Sequence, residues 1–77
     1  MKKTEKIKTV VTPSGRQFWA GEKDASRPRC YPTERQADRA AQKLIAEGRV
    51  FSAWAAQPEN WRSYGVEVLA VFAKEVS

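Results

Sequence analysis

The sequence predicts one small α+β domain, in which an antiparallel sheet of three to four strands carries one amphipathic helix on one face, in the order ββα then ββ. Three observations support it. A Thr12-Pro13-Ser14-Gly15 turn motif separates two β-rich stretches, a capped periodic segment follows Thr33, and residues 66–73 form an apolar, β-rich run. A chain of 77 residues with 42% apolar side chains is long enough for one domain and too apolar for a disordered one.

The first two strands are predicted at residues 7–12 and 16–21. Thr9, Val10 and Val11 are β-branched and favour a strand. Pro13 presets the backbone of the intervening turn, and Gly15 tolerates a positive φ, so the two strands read as a hairpin. Residues 1–6 are polar and read as a frayed tail or as the first solvated residues of a strand, whereas residues 22–29 read as a loop.

The helix is predicted at residues 34–47. Thr33 is a suitable N-cap, and Gln36 stands three residues later, as a capping box requires. Gly48 can end the helix in the left-handed conformation. One face of the helix is apolar and rich in alanine, formed by Ala37, Ala40, Ala41, Leu44 and Ile45. Such a thin stripe lets the helix lie close to the sheet.

In the C-terminal half, the sequence permits more than one secondary structure. Residues 49–56 fit a strand, but their small side chains also permit a short helix. Residues 57–60 form a break, and residues 66–73 read as a strand, plausibly a central one, with a helix as the alternative. Residues 7–12 with Lys8 suit a charge-protected edge. If residues 66–73 were instead at an edge, we would expect a homodimer through that strand.

The composition argues against an enzyme. The chain has no histidine and one cysteine, which removes the commonest general base and the usual zinc ligand sets. We therefore expect no catalytic residues, no metal and no cofactor. Cys30 lies beside Arg29 and near a helix N-terminus, which would increase thiol reactivity; the alternative is a small core residue.

The expected location is the cytoplasm. The chain has no apolar run long enough to cross a membrane, and its basic N-terminus is not followed by an apolar signal core. A single cysteine also suits a reducing compartment, because no disulfide can form within the chain.

The basic residues provide the main functional signal, since the net charge is +5. Arg27 and Arg29 lie in the loop before the helix, while Arg35, Arg39 and Lys43 share one helix face at i, i+4 and i+8. This face can contact phosphates or an acidic protein surface. The alternative is an ordinary solvated face that maintains solubility.

A second candidate feature is aromatic. Trp54, Trp61 and Tyr64 flank the break at residues 57–60. Large rings near one loop can anchor a protein interface or stack on bases. The alternative is that they close the end of the core. Since stability must come from packing alone, we expect most of the large rings to lie in the core, namely Phe18, Trp19, Trp54, Trp61, Tyr64 and Phe72.

Within residues 9–48, Gly15-Arg16-Gln17-Phe18-Trp19 stands at the start of a strand and Tyr31-Pro32-Thr33 at the start of the helix. On these two motifs, the segment resembles the DNA-arm-binding domains of tyrosine recombinases. It implies three strands with a helix behind them, and the C-terminal third has no counterpart. Domains of this build also occur among accessory proteins of phages and mobile elements, which bind and block host machinery.

These observations favour a non-enzymatic binding module of the accessory or inhibitor type. In that hypothesis the basic face and the aromatic anchors dock on an acidic or nucleic-acid-binding partner protein. A small DNA- or RNA-binding domain that contacts phosphates through the same face is the alternative.

Overall fold

A computed structural model describes residues 3–21 and 27–76, with side chains described for residues 5–21 and 27–73. The elements are β1 (Lys3–Glu5), β2 (Thr9–Val11), β3 (Gln17–Trp19), α1 (Glu34–Ala46), β4 (Val50–Ala56), β5 (Gly65–Val71) and β6 (Lys74–Val76). A four-stranded antiparallel sheet has the order β2-β3-β5-β4, and β1 pairs separately with β6. This is the α+β class that the sequence predicts.

The β2–β3 hairpin is confirmed, with shorter strands than predicted. The Gly15 amide donates to the Thr12 carbonyl at 2.8 Å, and the Thr12 amide donates to the Arg16 carbonyl at 2.7 Å. The Thr12 hydroxyl also accepts from the Arg16 amide at 3.1 Å. The main chain and the side chain of Thr12 therefore both close the turn. At the open end of the hairpin, Thr9 pairs with Trp19.

The helix lies where its capping signals place it. The Thr33 hydroxyl accepts a hydrogen bond from the Gln36 amide at 3.3 Å, so one free donor of the first turn is satisfied. The helix ends at Ala46 with Glu47 as C-cap, one residue earlier than predicted. Gly48 follows with φ 71°, a conformation that is costly for residues with a Cβ.

The core lies between α1 and the strands β4 and β5. Ala37 and Ala41 are fully buried and Leu44 nearly so, which confirms the alanine-rich packing face. Their partners on the sheet are Val50, Ala53, Val66 and Val68. Phe18 is also fully buried, but its register with Glu67 places it on the sheet face opposite Val66 and Val68.

Of residues 49–56, for which both strand and helix were open, Val50–Ala56 form β4. It pairs with β5 from Val50↔Val71 to Ala56↔Gly65. The helix alternative for residues 66–73 is wrong, because β5 is a strand between β3 and β4. Its central position also removes the condition for a homodimer through that strand. The edges of the four-stranded sheet are β2 and β4.

At the N-terminus the structure favours the strand alternative over the frayed tail. Residues 3–5 form β1 and pair with β6 in the register Lys3↔Val76 to Glu5↔Lys74. The reason is that this strand is ordered by main-chain pairing with a segment some seventy residues away, not by an apolar pattern of its own. Residues 1–2 and most of the loop predicted at residues 22–29, namely 22–26, lie outside the described residues.

The aromatic residues divide between core and surface. Trp19 and Tyr64 are half-buried against the core, and Trp61 is half-buried. Trp54 and Phe72 remain exposed, so two of the six rings lie outside the core. In the described part of the chain, α1 is too short and too polar to cross a membrane.

Candidate cationic binding surface

The basic row on α1 faces solvent. Arg35, Arg39 and Lys43 are all exposed, and none of them forms an ion pair within the described ranges. Their side of the helix is turned away from the buried Ala37 and Ala41. The structure thus brings these three predicted residues together as one exposed row.

The row leads into a groove of about 400 Å³ between α1, the segment before β2 and the end of β3. Lys43 belongs to both features. The cations that line the groove are Lys6, Lys8, Lys43 and Arg49. Two carboxylates, Glu5 and Glu47, also line it, so cations outnumber acids two to one. Trp19 and Tyr31 add two aromatic rings to the lining.

Arg49 carries an unsatisfied donor in this region. Its Nε is buried and has no hydrogen-bond partner among the described residues. The Arg49 amide donates to the Leu44 carbonyl at 3.0 Å, and its carbonyl accepts from the Phe72 amide at 2.8 Å. The backbone therefore fixes Arg49 at the start of β4, while its buried N–H lacks the acceptor that such groups normally have.

Tyr31 is fixed beside the same groove. Its amide and carbonyl exchange hydrogen bonds with Tyr64 at 2.8 and 2.9 Å. The Arg29 guanidinium lies over the Tyr31 ring, 5.7 Å from its centre. Burial raises the pKa of Tyr31 and the nearby Arg29 partly opposes this, so the phenol is a neutral hydrogen-bond donor at pH 7. Arg29 thus lies next to the groove, and Arg27 is exposed.

The three predicted aromatic anchors do not form one surface with the basic row. Trp54 pairs in register with Glu67, on the sheet face opposite α1. Tyr64 packs against the core, and its main chain pairs with that of Tyr31. Trp61 is half-buried in the loop that follows β4. Of the three, only Trp54 is exposed, and the sheet separates it from Arg35 and Arg39.

Among the lining residues of the groove, Trp19, Tyr31 and Arg49 were not predicted to bind a partner. Lys8 had a signal, because its alternation with the apolar positions of the hairpin points it outward. No sequence signal pointed to Arg49, since only the packing of α1 over β4 brings it to the groove.

Arg16 belongs to a separate, internally neutralised cluster. Its Nε and Nη2 donate to Glu67 at 3.1 and 2.8 Å, and its Nη1 donates to the Gln57 carbonyl at 3.1 Å. Hydrogen bonding to Glu67 raises the pKa of Arg16. Glu59 lies 3.5 Å from Arg16 and accepts from the hydroxyls of Ser14 and Thr12. These bonds, above all the one from Ser14, lower the pKa of Glu59.

Cys30 is exposed, so its interpretation as a small core residue is wrong. Its thiol lies 3.7 Å from the Pro28 carbonyl, to which it donates. Over the residues whose placement is described, no cluster of cysteine and carboxylate side chains is suited to hold a metal ion.

Comparison with known proteins adds no relative: no family model, curated protein or solved structure matches this chain. A functional proposal therefore depends on the chemistry of the cationic surface itself.

Proposed function

We propose that this protein is a non-enzymatic binding module that docks on an acidic protein surface through Arg35, Arg39 and Lys43, with Arg27 and Arg29 beside them. Its role would be that of an accessory or inhibitor protein of the phage or mobile-element type, acting in the cytoplasm. The observation that carries the proposal is the helix row, three exposed cations at four-residue spacing without an ion pair in the described part of the chain.

Such a row has an electrostatic cost when the protein is free. Like charges at i and i+4 destabilise a helix by roughly 0.2–0.5 kcal/mol per pair. An acidic partner removes this repulsion and replaces it with attraction. The same charges increase the association rate by steering the partner towards the helix.

The row is also held in place before binding. The Thr33 cap fixes the start of α1, and buried Ala37, Ala41 and Leu44 fix its rotation on the sheet. A surface that does not rearrange on binding loses less conformational entropy in the complex. A rigid helix therefore suits a protein that must occupy a partner's charged site.

The test is a double charge reversal, Arg35→Glu with Arg39→Glu. The protein is used to capture its partner from nuclease-treated native lysate, and the affinity of the purified pair is then measured by calorimetry. We expect the double variant to lose at least about 100-fold in affinity, since close interfacial charge pairs contribute ~1.5–7 kcal/mol. Arg62→Glu is the matched control, because Arg62 is exposed in the loop after β4.

Retention of affinity by the double variant, with its circular dichroism unchanged, would reject this proposal. Equal losses in the double variant and in Arg62→Glu would also count against it. That result would mean that net charge, and not the helix row, determines binding.

The groove favours a second candidate, the binding of single-stranded nucleic acid. Trp19 and Tyr31 line it among four cations, and aromatic rings beside cations are the combination that stacks bases and contacts phosphates. Fluorescence anisotropy with labelled DNA and RNA oligonucleotides at several salt concentrations tests it. This candidate requires an affinity that falls steeply with salt and weakens in Lys8→Gln.

A further inference from the structure

We propose that the groove between α1, the segment before β2 and the end of β3 binds one phosphate monoester of a nucleotide, either a free nucleoside monophosphate or the phosphorylated end of a strand. Arg49 and the lysines of the groove would hold the phosphate, and the base would lie against the Trp19 and Tyr31 rings. This inference does not depend on the proposed docking through α1, because Arg35 and Arg39 lie outside the lining of the groove.

Arg49 provides the observation that points to an anion. Its Nε is buried without a hydrogen-bond partner, and its guanidinium forms no ion pair with any residue that the structure describes. A buried donor without an acceptor destabilises a folded protein, above all when the donor is charged. A ligand that supplies the acceptor removes this penalty, so the missing hydrogen bond becomes part of the free energy of binding.

The guanidinium of Arg49 is shaped to bind two oxygens at once. Its Nε and one terminal nitrogen form a planar pair of donors that matches two oxygens of one phosphate. The Arg49 amide donates to the Leu44 carbonyl at 3.0 Å, and the Arg49 carbonyl accepts from the Phe72 amide at 2.8 Å. The main chain therefore holds this residue in place before a ligand binds.

The charge of the groove matches a phosphate monoester. The four cations and two carboxylates that line it leave a formal charge of +2. A phosphate monoester carries about −1.5 to −2 charges at pH 7, whereas a carboxylate carries only a single negative charge. The additional phosphates of a longer strand would meet the Glu5 and Glu47 carboxylates. One phosphate monoester is thus the anion that neutralises the groove.

The two rings of the groove suit the base of a nucleotide. Trp19 and Tyr31 both line the groove and pack against the core, so their positions are fixed. Bases stack on aromatic rings, and this contact tolerates any base because each has a flat face. A sugar phosphate or inorganic phosphate has no flat apolar part that could cover these rings. The combination of rings and cations therefore favours a nucleotide.

The size of the groove sets an upper limit on the ligand. Its volume of about 400 Å³ lies near the lower end of the range of roughly 300–1,000 Å³ that is usual for small-molecule sites. The Lys8 carbonyl accepts from the Ala20 amide at 2.9 Å, which ties the segment before β2 to the end of β3. The walls are thus held together, and the space suits one nucleotide.

Calorimetry at low salt with adenosine 5′-monophosphate, adenosine and inorganic phosphate tests the proposal. We expect the monophosphate to bind at least about tenfold more tightly than adenosine or phosphate, since the charged hydrogen bonds and the stacking both contribute. Arg49→Lys keeps the charge but removes the paired donors, so it should weaken binding of the monophosphate at least about tenfold. Arg62→Lys is the matched control, because Arg62 is exposed in the loop after β4 and lies outside the groove.

NMR on the unmodified chain locates the bound nucleotide, and it remains informative even if Arg49→Lys fails to fold. The Nε–H signal of Arg49 and the indole N–H signal of Trp19 should shift together as the monophosphate is added. The first gains an acceptor, and the second gains a neighbouring ring. The double variant Arg35→Glu with Arg39→Glu should retain both shifts, so this proposal and the docking proposal fail independently.

The proposal would be overturned if the monophosphate showed no saturable binding, or if it bound without a shift of the Arg49 Nε–H signal. Oligoadenylates with and without a 5′-phosphate supply the remaining comparison. Equal affinity for the two strands would mean that internal phosphates bind, and this also rejects the site. A preference for the phosphorylated strand over the monophosphate supports the site with a strand end as its ligand, and the reverse preference supports it with a free nucleotide.

Discussion

Arg16 and Arg49 show how two similar residues acquire different roles. Arg16 is bonded by Glu67 and by the Gln57 carbonyl, and it stacks 4.9 Å above the centre of the Phe18 ring. All of these contacts of Arg16 are made within the protein. Arg49 has a buried Nε without a partner in the described structure and lines the groove. The sequence does not distinguish the two arginines, because the acids that neutralise Arg16 lie more than forty residues away.

Glu59 leads to a prediction about pH. Its pKa in the folded protein is lowered below the ordinary 4.5, chiefly by the hydrogen bond from Ser14. Its stabilising contribution is therefore fully present above the unfolded pKa and is lost as the pH falls through the folded pKa. We expect Glu59→Gln to lower the thermal midpoint at pH 7, with a difference from the unmodified protein that disappears in acid.

Thermal unfolding between pH 7 and pH 3 measures this effect. Ser14→Ala removes one donor and leaves the carboxylate in place, so it should reproduce part of the loss with the same pH dependence. A difference between Glu59→Gln and the unmodified chain that stays constant over this range would contradict the assignment.

At the scale of elements, local signals made α1 predictable and non-local pairing made β1 and β6 unpredictable. The Thr33 cap, the alanine-rich stripe and Gly48 all lie within sixteen residues of sequence. β1 contains no apolar residue, and its order depends on β6 at the other end of the chain. The sequence left strand and helix open for residues 49–56, because alanine and serine occur in both. Pairing with β5 makes this segment a strand.

The helix cap gives a second prediction. Thr33→Ala removes the acceptor for the Gln36 amide, and we expect it to lower the free energy of unfolding by about 1 kcal/mol. Thr33→Ser keeps a hydroxyl at this position and should retain most of the stability. Urea denaturation measures both variants, and equal stabilities for Thr33→Ala and Thr33→Ser would show that the cap is not significant.

At the scale of the whole molecule, the candidate site has one predictable and one unpredictable part. The helix row follows from four-residue spacing, so the sequence places Arg35, Arg39 and Lys43 together. The groove collects residues from the N-terminal segment, the hairpin, the helix and the start of β4. No short sequence pattern connects these, and only packing of α1 over the sheet brings Lys8 near Lys43.

The two sheets should differ in stability. Among the described elements, β1 and β6 contact only each other, whereas β5 contacts β3, β4 and α1. Opening of the β1–β6 pair therefore breaks few contacts and should occur without global unfolding. In amide hydrogen exchange, we expect residues 3–5 and 74–76 to exchange together and well before Val66 and Val68. Equal protection of both groups would mean that the chain unfolds as one unit.

The β1–β6 ladder also determines how this domain could be joined to other proteins. Lys3 lies opposite Val76, so the two extremities of the described chain leave the fold as neighbours, beside the groove residue Glu5. A host loop could accept the domain as an insertion without being stretched, and new termini could be opened at the Pro13–Ser14 turn after the old ones are linked. Insertion would place the host sequence beside the groove, whereas permutation would move the termini to the turn near Glu59. Both leave the outer side of α1 clear.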